Sequence, residues 1–367
     1  MISSNRSRTG LVLAFGLLLV AGAVIAIPRD DGESPAHPDY LRGVNVFTMA
    51  YASSDPRYPG EPASTYRFLA RRGHELVRLP FYWSQVQRSL GGPLDPTGIE
   101  ALANEVNRAT AAGLKVVISM HNSCRFPMPD SRARCGDGIS RRQLTDVWVK
   151  LSRRFGEDRG VIAYDIMNEP YAIEPPVWES YSQAVVDGVR KRGDTKLVWI
   201  EPSGYSAPKD FVQRHPRAWI DDPAGKVMYS AHQYFERSGG YSRGFEFDSY
   251  DTSTVIEELQ WFTGWLRDNG ARGSIGEIGW PSSQRSDSWE QWNELAEEWF
   301  QIADQAGLWV TYFPATSAYD EHQAAYEAPA NGLNPIPGVS VARSQAKVIE
   351  RHPSRRSKPT GRAMAGP

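Results

Sequence analysis

The feature that most constrains the fold is a regular alternation of two kinds of segment between Tyr40 and Pro353. Short runs rich in apolar and β-branched residues alternate with longer amphipathic stretches, and no long linker interrupts them. Short, nearly continuous apolar runs are typical of strands buried on both faces of a parallel sheet. The predicted strands are 41–47, 76–79, 114–120, 161–167, 196–200, 227–231, 274–277 and 308–313. The predicted helices are 65–72, 98–112, 141–155, 176–192, 254–269 and 289–306.

This alternation fits an α/β protein with a single-domain (β/α)8 TIM barrel over residues 40–353. The alternative is an open, doubly wound sheet. Such a sheet needs a glycine-rich phosphate-binding turn after its first strand, and the run Gly43-Val44-Asn45-Val46-Phe47 contains no such turn. We therefore favour the barrel.

The charge and aromatic content of the chain restrict its partners. The 41 Lys and Arg residues against 43 Asp and Glu leave a net charge of −2. Proteins that bind nucleic acid need a strong basic field, so we expect no nucleic-acid partner. The 12 Trp and 16 Tyr residues usually fill cores, but such rings also stack on sugar faces. The sequence leaves the oligomeric state open.

The two ends of the chain lie outside the barrel pattern. Residues 1–27 combine Arg6 and Arg8 with an apolar run at 11–27, which is typical of a secretory signal peptide. A membrane anchor is the alternative, because a run of this length is at the lower limit for crossing a bilayer. Both interpretations predict a secreted or otherwise extracytoplasmic protein. Residues 28–39 are predicted to be a linker, and 354–367 a disordered basic tail.

The two cysteines, Cys124 and Cys135, fall in one polar loop. Export permits oxidation, so we predict a disulfide that pins a loop rich in Arg, Pro, Gly and Asp. Two free thiols are the alternative. No group of Cys and His residues at ligand spacing accompanies the pair, and we therefore predict no metal site and no cofactor.

Two glutamates follow predicted strands at the end where the active sites of barrel enzymes lie. Glu169 ends the fourth strand and Glu277 the seventh, nearly opposite each other across the barrel mouth. Glycoside cleavage requires such a pair: a protonated carboxyl gives a proton to the leaving oxygen, and an ionised one attacks the anomeric carbon or activates water. Arg78 and nearby His and Tyr donors would keep Glu277 ionised. Glu201 ends the fifth strand, either as a substrate contact or as the partner of an arginine.

Five motifs lie at the ends of predicted strands, in the order Val77-Arg78-Leu79-Pro80-Phe81-Tyr82-Trp83, Gly113-Leu114-Lys115-Val116-Val117-Ile118-Ser119-Met120-His121-Asn122, Asn168-Glu169-Pro170, His232-Gln233-Tyr234 and Gly276-Glu277-Ile278-Gly279. Together they resemble the motifs of glycoside hydrolase family 5, part of a large clan of barrel enzymes with catalytic glutamates on strands four and seven. The resemblance implies a cellulase-like glycoside hydrolase. The matches at 83–95 and at His121-Asn122 are most similar to endoglucanases, which implies endo-acting cleavage of β-1,4-linked polysaccharide.

Carried over position by position, the resemblance also implies a role for each residue of the site. Glu169 would be the general acid/base and Glu277 the nucleophile of a retaining double displacement. The predicted substrate-binding residues are Arg78, His121, Asn122, Asn168, His232, Tyr234, Trp83, Trp280 and Phe313.

Five of these residues have more specific implied roles. Asn168 would hold the 2-hydroxyl of the sugar that is attacked. Arg78 and Tyr234 would hold the carboxylate of the nucleophile, while His121 and His232 would line the subsite around the scissile bond. Arg78 could instead be a structural ion-pair partner, and His121 and His232 could be histidines of the barrel mouth without a catalytic part.

The aromatic residues are the least certain part of the resemblance. Trp83, Trp178 and Trp280 follow strand ends or lie in loops after strands, so they are predicted either to stack on sugars or to pack in the core. The family usually carries a tryptophan at the end of strand eight. Here Phe313 would take that place, or Trp309 would serve from another face of the strand.

Several other functions stay open on the sequence alone. A β-mannanase, an enzyme of mixed-linkage glucan, and an exo-acting or transglycosylating β-glucan enzyme would all use the same residues. A non-catalytic carbohydrate-binding barrel is a different class, but it would not need the intact pair Glu169 and Glu277. A metal-dependent barrel hydrolase is a third class, and the sequence shows no His-x-His or carboxylate cluster at ligand spacing for it.

Overall fold

The computed structural model describes residues 39–47, 49, 60–128, 131–236, 245–317, 323–329 and 337–356. The predicted signal or anchor at 1–27 lies outside the described residues, as do nearly all of the predicted linker at 28–39 and most of the predicted tail at 354–367. Among the helices of the described ranges, none is long and apolar enough to cross a membrane.

Eight parallel strands of the described chain close into a barrel. They are β1 Arg42–Val46, β2 Leu76–Tyr82, β3 Lys115–His121, β4 Val161–Asp165, β5 Leu197–Ile200, β6 Val227–Tyr234, β7 Gly273–Gly279 and β8 Trp309–Thr316. Each strand pairs with the next along the chain, and β8 pairs with β1. The predicted (β/α)8 barrel is therefore confirmed.

Helices surround the barrel between successive strands. In the described chain they are α1 Ala63–Arg71, α2 Pro96–Ala111, α3 Arg141–Phe155, α4 Pro175–Arg190, α5 Pro208–Arg214, α6 Ser253–Asp268 and α7 Trp289–Gln305. Local sequence starts two of them: the Asp95 side chain accepts the N–H of Gly98 at 2.9 Å, and Ser140 and Gln143 form a capping box. Sequence analysis missed α5, whose seven residues are too few to show a helical period.

The interior of the barrel changes from apolar to polar along the strands. Near the start of the strands, a cluster that includes Leu76, Val117 and Ala163 is buried. Because side chains alternate in and out along a strand, the residue two positions further on points to the same side. On β2 and β4 those residues are Arg78 and Asp165, both fully buried. The barrel therefore places a layer of buried charge directly beneath its mouth.

A small sheet interrupts the connection between β3 and α3. It consists of Arg125–Met128, Ser131–Cys135 and Gly138–Ile139. Its polar sequence shows no alternating pattern, and for that reason sequence analysis did not predict it. Cys124 and Cys135 form a disulfide across its base, with their Cα atoms 5.6 Å apart, which confirms the predicted bridge.

Shorter elements complete the described chain: Trp83–Val86, the 3-10 turn Phe247–Ser249, Tyr326–Glu327, Val341–Ala342 and Ala346–Ile349. The contacts of the barrel also continue beyond the predicted boundary at Pro353. The Ser354 hydroxyl accepts the backbone N–H of Arg42 at 2.9 Å, and Arg355 pairs with Tyr40. These residues pack at the start of β1, so the disordered tail was predicted to begin too early.

Candidate active site

A buried arginine occupies the centre of the barrel mouth. Arg78 on β2 has no solvent exposure. Its guanidinium lies close to Asp165 Oδ2 (2.8 Å), Asn45 Oδ1 (2.8 Å), Glu277 Oε1 (2.7 Å), Asn168 Oδ1 (2.7 Å) and Glu201 Oε1 (3.3 Å). The planar, permanently charged guanidinium can hold several oxygens in a fixed geometry, which a lysine ammonium does less well. Arg78 therefore ties the ends of five strands together.

Glu277 is held as an ionised carboxylate. Besides the contact with Arg78, it accepts a hydrogen bond from the Tyr234 hydroxyl. Burial alone would raise the pKa of Glu277, but the positive charges of His232 and Arg78, together with the Tyr234 hydrogen bond, lower it to about 2. The side chain is 6% exposed. This carboxylate carries a full charge at neutral pH in a setting with little water, as a nucleophile requires.

Glu169 stands opposite Glu277 in a different environment. It follows β4 in the left-handed region, with φ of 48°, and its side chain is 17% exposed. Its carboxylate Oε1 lies 3.0 Å from His232 Nδ1. One carboxylate oxygen of Glu169, one of Glu277 and a ring nitrogen of His232 all lie within 4.8 Å of one another. The two strand-end glutamates thus converge on a single point of the mouth.

His232 is a buried cation between the carboxylates. Its Nε2 lies 3.1 Å from Glu201 Oε1, and its Nδ1 lies 3.6 Å from Glu277 Oε2. Burial would lower the pKa of His232, but the negative charges of Glu201 and Glu277 and the contact with Glu169 outweigh burial and raise it to about 10. At neutral pH the ring is therefore an imidazolium that faces both strand-end glutamates.

His121 and Asn122 end β3 at the same mouth. Burial and the charge of Arg78 lower the pKa of His121 well below its ordinary value, so this ring is neutral where His232 is charged. It packs edge-on against Phe47 at 5.3 Å. The Asn122 amide donates to the backbone oxygen of Arg125 at 3.4 Å, within its own loop. A substrate contact for Asn122 stays a prediction.

The tryptophans predicted as sugar platforms are buried away from solvent. Trp83 and Trp280 are 1% and 0% exposed. Trp83 donates to Gln87 Oε1, and Trp280 stacks on Phe235 with ring centres 5.4 Å apart. Trp178 is also fully buried. The predicted stacking role is wrong for all three, because the chain turns each ring inward immediately after its strand or at the start of its helix.

Phe313 stays near the predicted cleavage subsite. Its ring contacts Tyr234 edge-on at 5.9 Å and Phe47 at 5.4 Å, and it is partly exposed. Trp309 lies four residues earlier on β8 and packs against the buried Trp199, in the apolar layer at the opposite end of the barrel. Of the two candidates for the strand-eight aromatic, only Phe313 lies at the end of the barrel that carries Glu169 and Glu277.

Sequence analysis missed two groups at the mouth. Asn45 and Asp165 both accept from Arg78, and Ser119 also donates to Asp165 at 2.8 Å. Burial and the neighbouring charge of Glu201 raise the pKa of Asp165 to about 7 despite the arginine. The period-two spacing along β4 could have identified Asp165 as an inward-facing charge. Glu201, for which two roles were left open, contacts Arg78 and is fully buried, as a partner of the arginine.

A second missed feature is a pair of exposed tyrosines beside Glu169. Tyr171 and Tyr205 are 37% and 38% exposed, and their rings stack with centres 3.9 Å apart at an angle of 16°. Arg125 lies 5.6 Å from the Tyr171 ring centre. Tyr171 comes directly after the Asn-Glu-Pro motif, and Tyr205 follows β5. Their position in loops after strands was the signal available in the sequence.

Backbone strain and open space also concentrate at this end of the barrel. Non-glycine residues with positive φ in the described chain are Asn122, Ser123, Cys124, Glu169, Ala172, Tyr205 and Ser206. All follow β3, β4 or β5, and such strained conformations persist where surrounding contacts hold them. A cavity of about 380 Å³, lined by His232, Tyr234, Tyr205 and Lys209 among others, adjoins the site. Two of its lining residues, His232 and Tyr234, contact the carboxylates of Glu169 and Glu277.

Comparison with known proteins agrees with this geometry. The model of the cellulase family, glycosyl hydrolase family 5, matches residues 38–318. Endo-β-1,4-glucanase B of Emericella nidulans is 26% identical over 67% of this chain and 76% of its own length. The manganese dependent endoglucanase Eg5A of Phanerodontia chrysosporium is 27% identical over 70% and 68%. The crystal structure of Pseudomonas stutzeri endoglucanase Cel5A in complex with cellobiose is 26% identical, with a TM-score of 0.70 over 85% of this chain and 92% of that one.

Proposed function

The chain belongs to glycosyl hydrolase family 5, and on that premise we propose that it is a retaining endo-β-1,4-glucanase. Membership of the family makes it a glycoside hydrolase. The single observation that carries the finer proposal is the convergence of Glu169 and Glu277 to within 4.8 Å in unlike environments. Retaining enzymes have carboxyl groups about 5–5.5 Å apart, whereas inverting enzymes leave about 6.5–9.5 Å for a water molecule. The close approach favours attack by one of the carboxylates.

In the first step, a Glu277 oxygen attacks the anomeric carbon while the Glu169 carboxyl donates its proton to the glycosidic oxygen. The bond from the anomeric carbon to that oxygen breaks, the alcohol leaves, and a glycosyl ester on Glu277 forms. In the second step Glu169, now a carboxylate, takes a proton from water, and the water oxygen attacks the same carbon. The ester bond breaks, Glu277 becomes a carboxylate again, and the two inversions give retention.

The residues around Glu169 and Glu277 have separate proposed roles in these steps. Arg78 and Tyr234 keep Glu277 ionised and oriented through the contacts described above. The His232 imidazolium donates toward Glu169 and stabilises the charge that both carboxylates carry during the cycle. Asn168, fixed through its oxygen by Arg78, is the residue proposed to meet the 2-hydroxyl of the sugar. We assign the neutral His121 to the wall of the same subsite.

The substrate is proposed to be β-1,4-glucan, because the curated relatives above are named as endoglucanases of that kind. A panel of β-1,4-glucan, mixed-linkage glucan, mannan and xylan, assayed for new reducing ends, tests this proposal. We expect the fastest release from β-1,4-glucan, together with a rapid fall in viscosity, which marks endo action. Faster release from mannan, or release of short products without loss of viscosity, would support the mannanase or exo-acting alternatives instead.

A non-catalytic carbohydrate-binding protein is the second class of function, and the same panel tests it. Such a protein would bind β-glucan and release no reducing ends from any polysaccharide. The intact pair of glutamates and the cations that tune it argue against this class, because binding alone does not need a carboxylate with its pKa lowered to about 2.

The stacked tyrosines give a prediction about longer substrates. Tyr205 lies close to Glu169, the residue proposed to protonate the leaving group, so we expect Tyr205→Ala to remove a stacking surface for that group. We expect a loss of about 1 kcal/mol, roughly fivefold in kcat/KM, for cellopentaose. Hydrolysis of β-cellobiosyl fluoride, whose leaving group is one atom, should change little. Tyr205→Phe keeps the ring and is the matched control. Equal losses on both substrates would contradict the assignment.

Metal dependence is the next prediction, since Glu169, Glu277 and His232 bring their atoms close together. Arg78 already contacts Glu277, and the His232 imidazolium would have to lose its proton before its ring could bind a metal ion. We expect dialysis against EDTA to leave kcat within about twofold of its starting value. The measurement is the initial rate on an aryl β-cellobioside, with and without added Mn²⁺. A complete loss that Mn²⁺ restores would overturn this expectation and favour a metal-dependent hydrolase.

The proposed location is outside the cytoplasmic membrane, where polysaccharide is found. It rests on the pattern of residues 1–27, for which cleavage and anchoring remain the two alternatives. Sequencing the mature N-terminus separates them: a start between residues 24 and 27 indicates a cleaved signal, and an intact Met1 in the membrane fraction indicates an anchor.

A further inference from the structure

Glu201 contacts groups that hold the two proposed catalytic carboxylates in place: the backbone N–H of Glu169, and the side chains of His232 and Arg78. It follows β5 and is fully buried. Its Oε2 accepts hydrogen bonds from the backbone N–H of Glu169 and from the Ser206 hydroxyl, each at 2.6 Å. Its Oε1 lies 3.1 Å from His232 Nε2 and 3.3 Å from Arg78 Nη2. Because it is buried beneath the mouth, its effect on the reaction must pass through these neighbours.

The first of these contacts concerns the backbone of the acid/base. Glu169 has φ of 48°, a conformation that residues with a side chain seldom adopt without support. A charge-assisted hydrogen bond from its N–H to a buried carboxylate is short and strong, and it supplies such support. The direction in which the Glu169 carboxyl leaves the main chain is therefore tied to Glu201.

The second contact concerns the charge on His232. The charged and titratable groups that face this ring are the carboxylates of Glu169, Glu201, Glu277 and Asp165, and the side chains Arg78 and His121. Arg78 is a cation and disfavours a further positive charge nearby, whereas His121 is neutral. Glu201 is the carboxylate nearest to Nε2, and among the groups that raise the pKa of the ring it has the largest effect.

We propose that Glu201 is a positioning residue for the hydrolysis: it fixes the backbone that carries Glu169 and keeps His232 cationic between the two catalytic carboxylates. This inference rests on the proposed function, because it assigns Glu169 the role of acid. It explains why a third glutamate, out of reach of any sugar, occupies the end of β5.

The consequence is a dependence on the leaving group. A sugar alcohol leaves only when the acid donates a proton, whereas 2,4-dinitrophenolate leaves without that help. A misplaced Glu169 therefore slows the cleavage of cellotetraose more than that of 2,4-dinitrophenyl β-cellobioside. A general loss of structure would slow both substrates alike.

The test is Glu201→Gln, which keeps the shape of the side chain and removes its charge. We expect kcat/KM for cellotetraose to fall at least roughly tenfold more than kcat/KM for the dinitrophenyl substrate. In side-chain ¹⁵N NMR spectra, His232 should remain an imidazolium at about pH 8 in the wild type and become neutral at that pH in the variant. Equal losses on both substrates and an unchanged His232 titration would overturn the proposal.

Two further variants distinguish the proposed role of Glu201 from a general loss of structure. Glu201→Asp keeps the charge and withdraws the carboxylate by one methylene, so His232 should stay cationic while the preference for the activated leaving group persists. Glu105→Gln changes a glutamate that is equally buried but lies on α2 with Tyr66 and Arg108. It should leave both the ratio of the two substrates and the His232 titration unchanged. A shift of either quantity in Glu105→Gln would contradict the assignment to Glu201.

The experiment also separates this inference from the proposed function. If the wild-type enzyme hydrolyses neither cellotetraose nor the dinitrophenyl glycoside, the proposed function fails, and the NMR comparison still tests the charge of His232. If both are hydrolysed and Glu201→Gln behaves as the wild type in both measurements, only the role of Glu201 fails.

Discussion

Replacing Glu277 by alanine is expected to lower kcat on an aryl β-cellobioside by roughly 10⁴-fold or more, because loss of the nucleophile in an enzyme with a covalent intermediate removes the whole first step. The carboxylate of Glu277 is buried, charged and held in place by Arg78 and Tyr234. Initial rates measured over several hours of reaction are the measurement. Full activity in the variant would refute the assignment.

Added azide tests whether the carboxylate removed in Glu277→Ala was the nucleophile. The small anion can occupy the space left by the Glu277 side chain and attack the anomeric carbon, so added azide should restore turnover and yield a glycosyl azide of inverted configuration. Proton NMR of the product reports that configuration. Glu297→Ala is the matched control, since Glu297 lies on α7 and contacts Arg351 and His352. We expect this control to keep its activity and to gain none from azide.

The second large effect is expected on folding, from Arg78→Met. Removing this guanidinium leaves the buried carboxylates of Asp165, Glu201 and Glu277 without their shared cation. Breaking a buried ion pair by removing one partner typically costs about 3–5 kcal/mol in the free energy of unfolding. Urea unfolding followed by tryptophan fluorescence measures the change. The matched control is Arg72→Met, which removes an arginine that is 38% exposed and pairs with Glu350; it should cost at most about 1 kcal/mol.

The Arg78→Met variant should also change the pH dependence of activity, in a direction that follows from the pKa of Glu277. In the wild type the pKa of Glu277 is lowered from an ordinary 4.5 to about 2, so its ionised form stabilises the fold above about pH 4.5 and this contribution is lost as the pH falls toward 2. Without Arg78 the folded-state pKa rises, and the acid limb of the kcat/KM profile should move to higher pH. An unchanged acid limb and an unfolding free energy like that of Arg72→Met would show that Arg78 does not neutralise this cluster.

The sequence was sufficient to predict the barrel fold and the placement of the two glutamates at its mouth. Strands and helices of a barrel repeat a simple pattern over hundreds of residues, so errors at single boundaries do not change the topology. Glu169 and Glu277 were predicted to face each other because the ends of parallel strands meet at one rim. The structure brings them within reach of one point, as that argument requires.

Other parts of the site depend on directions that no local pattern encodes. Trp83 and Tyr205 both come after strand ends, yet one ring is buried against Phe126 and the other is 38% exposed. Whether such a ring faces solvent at the barrel mouth is decided by the turn that follows the strand and by the space beneath it. The same holds for Glu201: its position after β5 was evident, but its contact with the backbone of Glu169 depends on a left-handed residue that the sequence does not reveal.

Everything in the proposed mechanism depends on a covalent bond between the sugar and one particular carboxylate. The most direct measurement is peptide mass spectrometry of the protein after inactivation by 2,4-dinitrophenyl 2-deoxy-2-fluoro-β-cellobioside, which forms the ester quickly and hydrolyses it slowly. The account predicts one added fluoro-cellobiosyl group, carried on Glu277. A label on another residue, or hydrolysis with inversion and no label at all, would contradict it.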